Sequence, residues 1–237
     1  NFFRGSARAI FDVPNPLTWR TVARAVIAHA PDILLFHWYT PLLSVPFAFV
    51  LCAVRRARPS CTVVAICHNV IPHERTPFDR ALTRLALRRA DLLVVHADRD
   101  EQALRAWLPA ARIVKLFHPR YDFFARPVSR EQARAQLGLS GAVLLFFGGI
   151  RRYKGLDDLL AVMPAVLKQI PVTLVIAGEF FGNRREYLDL IAHLRIGHAV
   201  RLFDRYIVND EVSTFFAAAD AVVAHYRSGT QSGALAI

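Results

Sequence analysis

Between residues 148 and 155 the chain places two glycines, three cations and a closing glycine: Gly148-Gly149-Ile150-Arg151-Arg152-Tyr153-Lys154-Gly155. Guanidinium and ammonium groups so close together can make charge-assisted hydrogen bonds to an anion, and glycines let backbone turn sharply beside it. When such a turn follows a strand and opens a helix, the usual anion is a phosphate. The segment is not a dinucleotide fingerprint, since no third glycine follows at the required spacing, and it is not a P-loop. Taken alone it also reads as an ordinary solvated loop. The Lys154 ammonium, after a glycine turn at a strand edge, is expected to face solvent.

Histidines form the second chemically capable set. His37, His68, His96, His118 and His225 each stand where an apolar run ends. His68 is followed by Asn69, and His73-Glu74 lies close behind, where it would either orient a loop or face an acceptor. No metal site is expected: His37, His96, His118 and His225 fall in two different halves without ligand spacing, and no Asp-x-Asp metal motif is expected. Nor does a pair of carboxylates stand in glycosidase-like placement, which disfavours hydrolysis.

The elements that must hold these residues are short apolar strands alternating with helices. Ala142–Phe147 reads as a strand buried on both faces, followed by a helix carrying Leu156, Leu159, Leu160 and Met163. Upstream, Asn15-Pro16 is a helix start, and Ile33–Trp38, Cys61–Cys67, Ala90–His96 and Ile113–Phe117 read as strands. Downstream, strands are expected at Val172–Ala177, Val200–Phe203 and Ala221–His225, with Asn209 or Asp210 capping a helix between the last two. Residues 9–13 are ambiguous, with a strand as one reading. One phrase occurs twice: Ala90-Asp91-Leu-Leu-Val-Val-His96 and Ala219-Asp220-Ala-Val-Val-Ala-His225. Strands alternating with helices imply parallel sheets, and the repeated phrase implies two such halves. The expected fold class is α/β, with two Rossmann-like domains facing across a cleft. Their expected bounds are 1–125, a connection at 126–140, and 141–237.

Composition allows a sizeable core, with 54% hydrophobic and 21% charged residues. The formal charge is +11, carried almost wholly by arginine, because Lys115, Lys154 and Lys168 are the only lysines. Such charge suits nucleic acid, an acidic membrane surface or phosphorylated substrates, and does not choose among them. Three unpaired-looking cysteines, Cys52, Cys61 and Cys67, point to a reducing compartment. No signal peptide or spanning segment is visible. The segment 41–54 is apolar nearly all round and is followed by Arg55, Arg56 and Arg58. It reads either as a buried helix or as one lying in a membrane interface with arginines on the headgroups. The chain starts without methionine and stops at Ile237 inside an apparent helix, so a fragment is expected.

With both halves placed, Phe147 to Gly155, His68-Asn69, Val175-Ile176-Ala177-Gly178 and Tyr226 to Gly233 together resemble glycosyltransferase family 4, retaining enzymes of GT-B fold. The resemblance implies transfer of sugar from a nucleotide-sugar donor, with no other cofactor, to an acceptor held by the first domain. It implies that Lys154 contacts the donor phosphates, that backbone at the Ser232-Gly233 turn cradles the diphosphate, that Thr230 is a further donor-binding residue, and that Tyr206-Ile207 meets the base. His68 would line the donor sugar and stabilise an oxocarbenium-like transition state. Gly148 and Gly149 form the turn. Gly149 stands where the family usually has arginine, and Arg151 is near enough to replace it. Thr230 stands where the first of two family glutamates is usual.

The expected activity is therefore a metal-independent glycosyltransferase of cell-surface glycan or glycolipid assembly, cytoplasmic and peripheral at the inner membrane face. A sugar-nucleotide epimerase on the same scaffold is the alternative enzyme. A basic nucleic-acid binder is the alternative without catalysis, disfavoured because Trp38, Phe146 and Phe147 sit in apolar strands.

Overall fold

Alternation along the strand β5 (Ala142–Phe147) shows how the second half of the chain is built. Val143 and Leu145 pack with Val212 and Phe215 on one side, while Leu144 and Phe146 pack with Leu156, Leu160 and Met163 on the other. A strand apolar on both faces needs a layer on each, which the flanking helices provide. The structure, a computed structural model, describes residues 10–71, 76–117, 124, 128–228 and 233–237. The chain divides into two compact units, Asn1–His118 and Pro119–Ile237.

In the first unit the order is α1 (Pro16–His29), β1 (Ile33–Trp38), α2 (Ser44–Ala57), β2 (Thr62–Cys67), α3 (Asp79–Leu87), β3 (Leu92–Val95), α4 (Asp98–Trp107) and β4 (Ile113–Lys115). The four strands form one sheet in the order β1-β2-β3-β4, every pair parallel. Asn15 caps α1 as its sequence suggests, its side chain accepting from the Leu17 N–H at 3.1 Å. Among the described residues 10–13 no strand forms.

The 41–54 segment opens as a 3-10 turn (Pro41–Leu43) before α2 begins. Pro46 falls in the first turn of α2, where its missing N–H costs no helical hydrogen bond. The helix is not buried all round. Pro46, Val50, Leu51 and Val54 are buried, whereas Val45 and Phe49 are exposed, continuing a stripe from Leu42.

The second unit runs α5 (Arg130–Leu137), β5, α6 (Leu156–Leu167), β6 (Val172–Ala177), α7 (Arg184–His193), β7 (Val200–Phe203), α8 (Asn209–Ala218) and β8 (Ala221–Val222). Its sheet has the order β7-β6-β5-β8, again all parallel. Two boundaries differ from the sequence reading. The cap of α8 is Val208, with Asn209 and Asp210 already inside the first turn, where the Asp210 and Glu211 charges favour the helix dipole. The last strand stops at Val222 rather than His225, because only Ala221 and Val222 find partners on β5.

The repeated Ala-Asp phrase does the same work in each unit. Asp91 Oδ2 accepts from the Val63 N–H at 2.7 Å, and the Asp91 N–H donates to Val63 O at 2.8 Å. Asp220 Oδ2 accepts from the Val143 N–H at 2.8 Å, and its own N–H donates to Val143 O at 2.9 Å. Each aspartate thereby pins the start of one strand to its neighbour. Arginines complete both: Arg55 on Asp91 at 2.5 Å, and Arg130 and Arg134 on Asp220 at 3.1 and 2.7 Å.

Candidate functional site

At the carboxyl end of β5 the chain turns at Gly148, whose φ of +89° suits glycine. A Cβ on Gly178, which follows β6, would come 2.3 Å from the Gly148 carbonyl oxygen, so the two strand ends meet as bare backbone. The turn continues through a 3-10 segment (Arg152–Lys154) to Gly155, which opens α6.

Lys154 does not face solvent as its sequence context suggests; it is 9% exposed. The 3-10 turn swings its side chain back under the glycines, so that Nζ donates to Phe147 O at 3.3 Å and lies 5.4 Å from the centre of the Tyr226 ring. Tyr226 arrives from the loop after β8, which the Arg227 N–H fixes by donating to Tyr153 O at 2.8 Å. Arg227 also clamps the start of α6, pairing with Asp157 at 2.8 Å and Asp158 at 2.5 Å. Burial, with the Arg151 charge nearby, pulls Lys154 down from the ordinary 10.5 to about 8. Among the described residues no carboxylate forms an ion pair with Lys154 or Arg151. A buried ammonium held next to a second cation is suited to an anion that arrives from outside.

Beside this turn is a pocket of about 260 Å³ lined by Gly148, Gly149, Tyr206 and Ile207, four of the positions singled out in the sequence. Phe124, Phe147, Gly178, Glu179, Phe181, Asn209 and Val212 complete it. Tyr206 is mostly exposed and Ile207 is buried against the core. The wall is thus largely apolar, with Glu179 and Asn209 as its polar side chains, a composition that accepts a flat ring with a few polar edges. Sequence reasoning missed Phe181 and Asn209; the Phe180-Phe181 pair in a glycine-bounded loop was the available signal. Thr230 and Ser232 lie outside the described residues, as do His73, Glu74 and His118. Gly233 begins a 3-10 turn through Ala236.

In the first unit, the sheet edge collects His37, His68 and His96. His37 Nδ1 is 2.8 Å from His68 Nε2, so one ring donates to the other. Tyr39 lies flat on His68, with centroids 4.5 Å apart and planes within 5°. His96 sits 5.9 Å from His68 by ring centre. No group of three or more His, Cys, Asp or Glu among the described residues is arranged to hold a metal ion. An Asp-x-Asp triplet does occur, contrary to the sequence reading, as Asp98-Arg99-Asp100. Asp98 is paired with Lys115, and Asp100 is buried with Oδ1 accepting from the Val70 N–H, so both serve the fold.

A family model described as Glycosyl transferases group 1 matches residues 141–236. Over those residues the chain is similar to group 1 glycosyltransferases. D-inositol 3-phosphate glycosyltransferase 1 of Catenulispora acidiphila is 32% identical over 154 residues, which are 60% of this chain and 37% of that protein. An uncharacterised glycosyltransferase of Methanocaldococcus jannaschii is 35% identical over 82 residues, 34% of this chain and 20% of that protein. The chain spans well under half the length of these curated relatives. Among solved structures, sucrose-phosphate synthase from Thermosynechococcus elongatus aligns with a TM-score of 0.69 at 19% identity, over 92% of this chain and 57% of that one. Anabaena HepE in complex with UDP-glucose aligns with a TM-score of 0.70 at 18% identity, over 90% of this chain and 57% of that one. These likenesses cover both units, and the fold is GT-B.

Proposed function

We propose that the protein is a retaining glycosyltransferase of family 4, moving a hexose from a nucleotide-sugar to a cell-surface glycan or glycolipid acceptor without a metal ion. The observation that carries this reading is Lys154, an ammonium buried beside a glycine turn with Arg151 near it and no carboxylate paired to either among the described residues. The donor diphosphate is the anion it awaits, and the adjoining pocket takes the base, with Tyr206 and Ile207 in its wall. That HepE was solved with UDP-glucose favours a nucleotide-sugar here. As the glycosidic bond breaks, charge grows on the leaving diphosphate, and cations already in place stabilise it without rearrangement. In this reading the backbone N–H groups of Ser232 and Gly233 join them, and Thr230 is a further donor-binding residue. His68 is assigned the role of steadying the positive charge that develops on the sugar ring.

The same reading places the enzyme on the cytoplasmic face of a membrane. Leu42, Val45 and Phe49 form an exposed apolar stripe, with Arg56 exposed farther along the helix. Among the described residues no helix is long and apolar enough to cross a bilayer. Equilibrium binding of UDP, ADP and GDP, followed by turnover assays with the matching nucleotide-sugars, tests the proposal. Failure of every nucleoside diphosphate to bind would remove it.

A further inference from the structure

Phe181 occupies a place that neither the turn nor the pocket explains by itself. A short parallel bridge between Ile150 and Phe180 ties the loop after β6 to the turn after β5. In it the Ile150 N–H donates to Glu179 O at 2.8 Å and the Phe181 N–H donates to Ile150 O at 2.9 Å. The bridge sets the Phe181 ring against Gly149 so closely that a Cβ there would come 2.8 Å from Cε2. The same ring carries Arg151, whose Cζ is 4.2 Å from the ring centre. Phe181 is 49% exposed and lines the pocket with Gly148 and Gly149, so the ring that carries the guanidinium borders the space a ligand would enter.

Among the described residues of this unit, Arg130, Arg134, Arg184, Arg185, Arg205 and Arg227 each pair with a carboxylate. Arg151 instead rests on an aromatic face, which orients a cation without neutralising it. Its field also reaches Lys154, which places both charges on the same turn. Resting on the anion-site reading above, we infer that Phe181 is a positioning residue, holding Arg151 beside Lys154 as the second cation of the phosphate site. Gly149 is then required to leave room for the ring, and the segment 179–181 becomes part of the site.

The test is a double-mutant cycle read by the affinity of the full chain for whichever of UDP, ADP and GDP binds tightest. Phe181→Leu should weaken binding about three- to tenfold, with Phe181→Tyr close to wild type, since both rings present a face to the guanidinium. In an Arg151→Met background, Phe181→Leu should have almost no further effect, because the two act as one unit. Gly149→Ala, which displaces the ring, should behave like Phe181→Leu. Melting temperatures identify any variant that fails to fold, and Phe181→Tyr supports the same conclusion with the least perturbation. Equal losses from Phe181→Leu with and without Arg151, or no loss at all, would overturn the inference. Lys154→Ala separates the two levels: if it leaves affinity unchanged, the phosphate-site reading itself fails. If it weakens binding while the cycle shows no coupling, only the role of Phe181 fails.

Discussion

Lys154 Nζ lies 3.3 Å from the carbonyl oxygen of Phe147, the final residue of the strand that precedes it. The amine has folded back on its own turn, and its partners are a neutral carbonyl and an aromatic ring. Neither supplies the countercharge that burial of an ammonium calls for, and Arg151 works in the opposite direction. Burial of this ammonium is therefore an electrostatic cost that an anion arriving beside it would offset.

The first prediction follows for stability. Lys154→Met, which keeps the length of the side chain and removes its charge, should raise the melting temperature at pH 7 rather than leave it unchanged. The lowering from 10.5 to about 8 corresponds to an upper figure on the order of 3 kcal/mol. The sign is set by proton binding. Between about pH 8 and 10.5 the unfolded chain holds a proton that the folded chain has released, so wild-type stability should rise through that window. Thermal melts from pH 6.5 to 10.5 should show wild type gaining on the methionine variant as pH rises. A parallel pair of curves would show that the ammonium is not strained.

Binding should move the other way with pH. A nucleoside diphosphate needs the charged amine, so its affinity should be constant below about pH 7 and fall as pH passes 8. In Lys154→Met the fall should vanish, with affinity already at least tenfold lower. Arg151→Ala should weaken binding more than Arg152→Ala, since Arg152 lines a different pocket with Asp157 and Tyr187. Isothermal titration across pH decides both points. An Arg152→Ala loss exceeding that of Arg151→Ala would reverse the assignment of the two arginines.

Much of this architecture was legible in order and spacing. The run Ala142–Phe147 has the length and continuous apolarity of a doubly covered strand, and it forms one with those bounds. The Ala-Asp phrase announced two similar halves because an aspartate at the start of a strand has a defined task, namely holding the N–H of the neighbouring strand's second residue. The burial of Lys154 was not legible, since it depends on Tyr226 closing over the amine from 72 residues away. The role of Arg55 was hidden for the same reason. It follows an apolar helix like a headgroup-binding cation, yet it is tied to Asp91 and to the Arg89 carbonyl. The short β8 and the Val208 cap turn on which backbone groups find partners, and local composition is silent on that.

The paired aspartates give a third prediction. The Val143 N–H, with Arg134 and Arg130, holds the Asp220 carboxyl below the usual carboxylate range. For Asp91, burial pushes upward and the hydrogen bonds from Arg55 and Val63 outweigh it. Both contribute stability that is present above the ordinary carboxylate pKa and is lost as pH falls through the lowered one. Asp220→Ala should lower the melting temperature by a few degrees, more than Asp220→Asn, which still offers an oxygen to Val143. The gap between wild type and Asp220→Asn should close in acid. A gap that widens below pH 4 would count against the carboxylate acting as a charge.

The membrane reading makes a fourth. Arg55 and Arg58 are engaged with the fold, on Asp91 and the Ala30 carbonyl, which leaves Arg56 as the exposed cation of the group. Retention on vesicles containing phosphatidylglycerol should drop with Arg56→Glu, and further with Phe49→Ser. Neither change should alter the melting temperature by more than a degree or two, since both side chains are exposed in the free protein. Equal retention on neutral and anionic vesicles would remove the electrostatic part of the idea.

The last prediction concerns the histidine pair. His37 Nδ1 engages His68 Nε2 at 2.8 Å while Tyr39 covers the ring, so two side chains from the end of β1 fix the plane and one nitrogen of His68. A group that steadies charge in a transition state must be held where the charge will appear, and a displacement of about 1 Å can cost a hundredfold in rate. If His68 is that group, His68→Ala should lose on the order of a hundredfold in kcat. Its effect on nucleoside diphosphate affinity should be small, because the phosphate site proposed here belongs wholly to the other unit. His37→Ala should lose about tenfold in kcat, since His68 keeps its Tyr39 contact but not its hydrogen bond. His37→Asn, whose amide reaches nearly the same point as Nδ1, should recover most of that loss. A merely structural role would instead appear as a lower melting temperature in His37→Ala with kcat unchanged. Steady-state kinetics of the active enzyme with its nucleotide-sugar, beside melts of each variant, separates the two. Wild-type kcat in a folded His68→Ala enzyme would exclude His68 from the reaction and leave His37 without a catalytic partner.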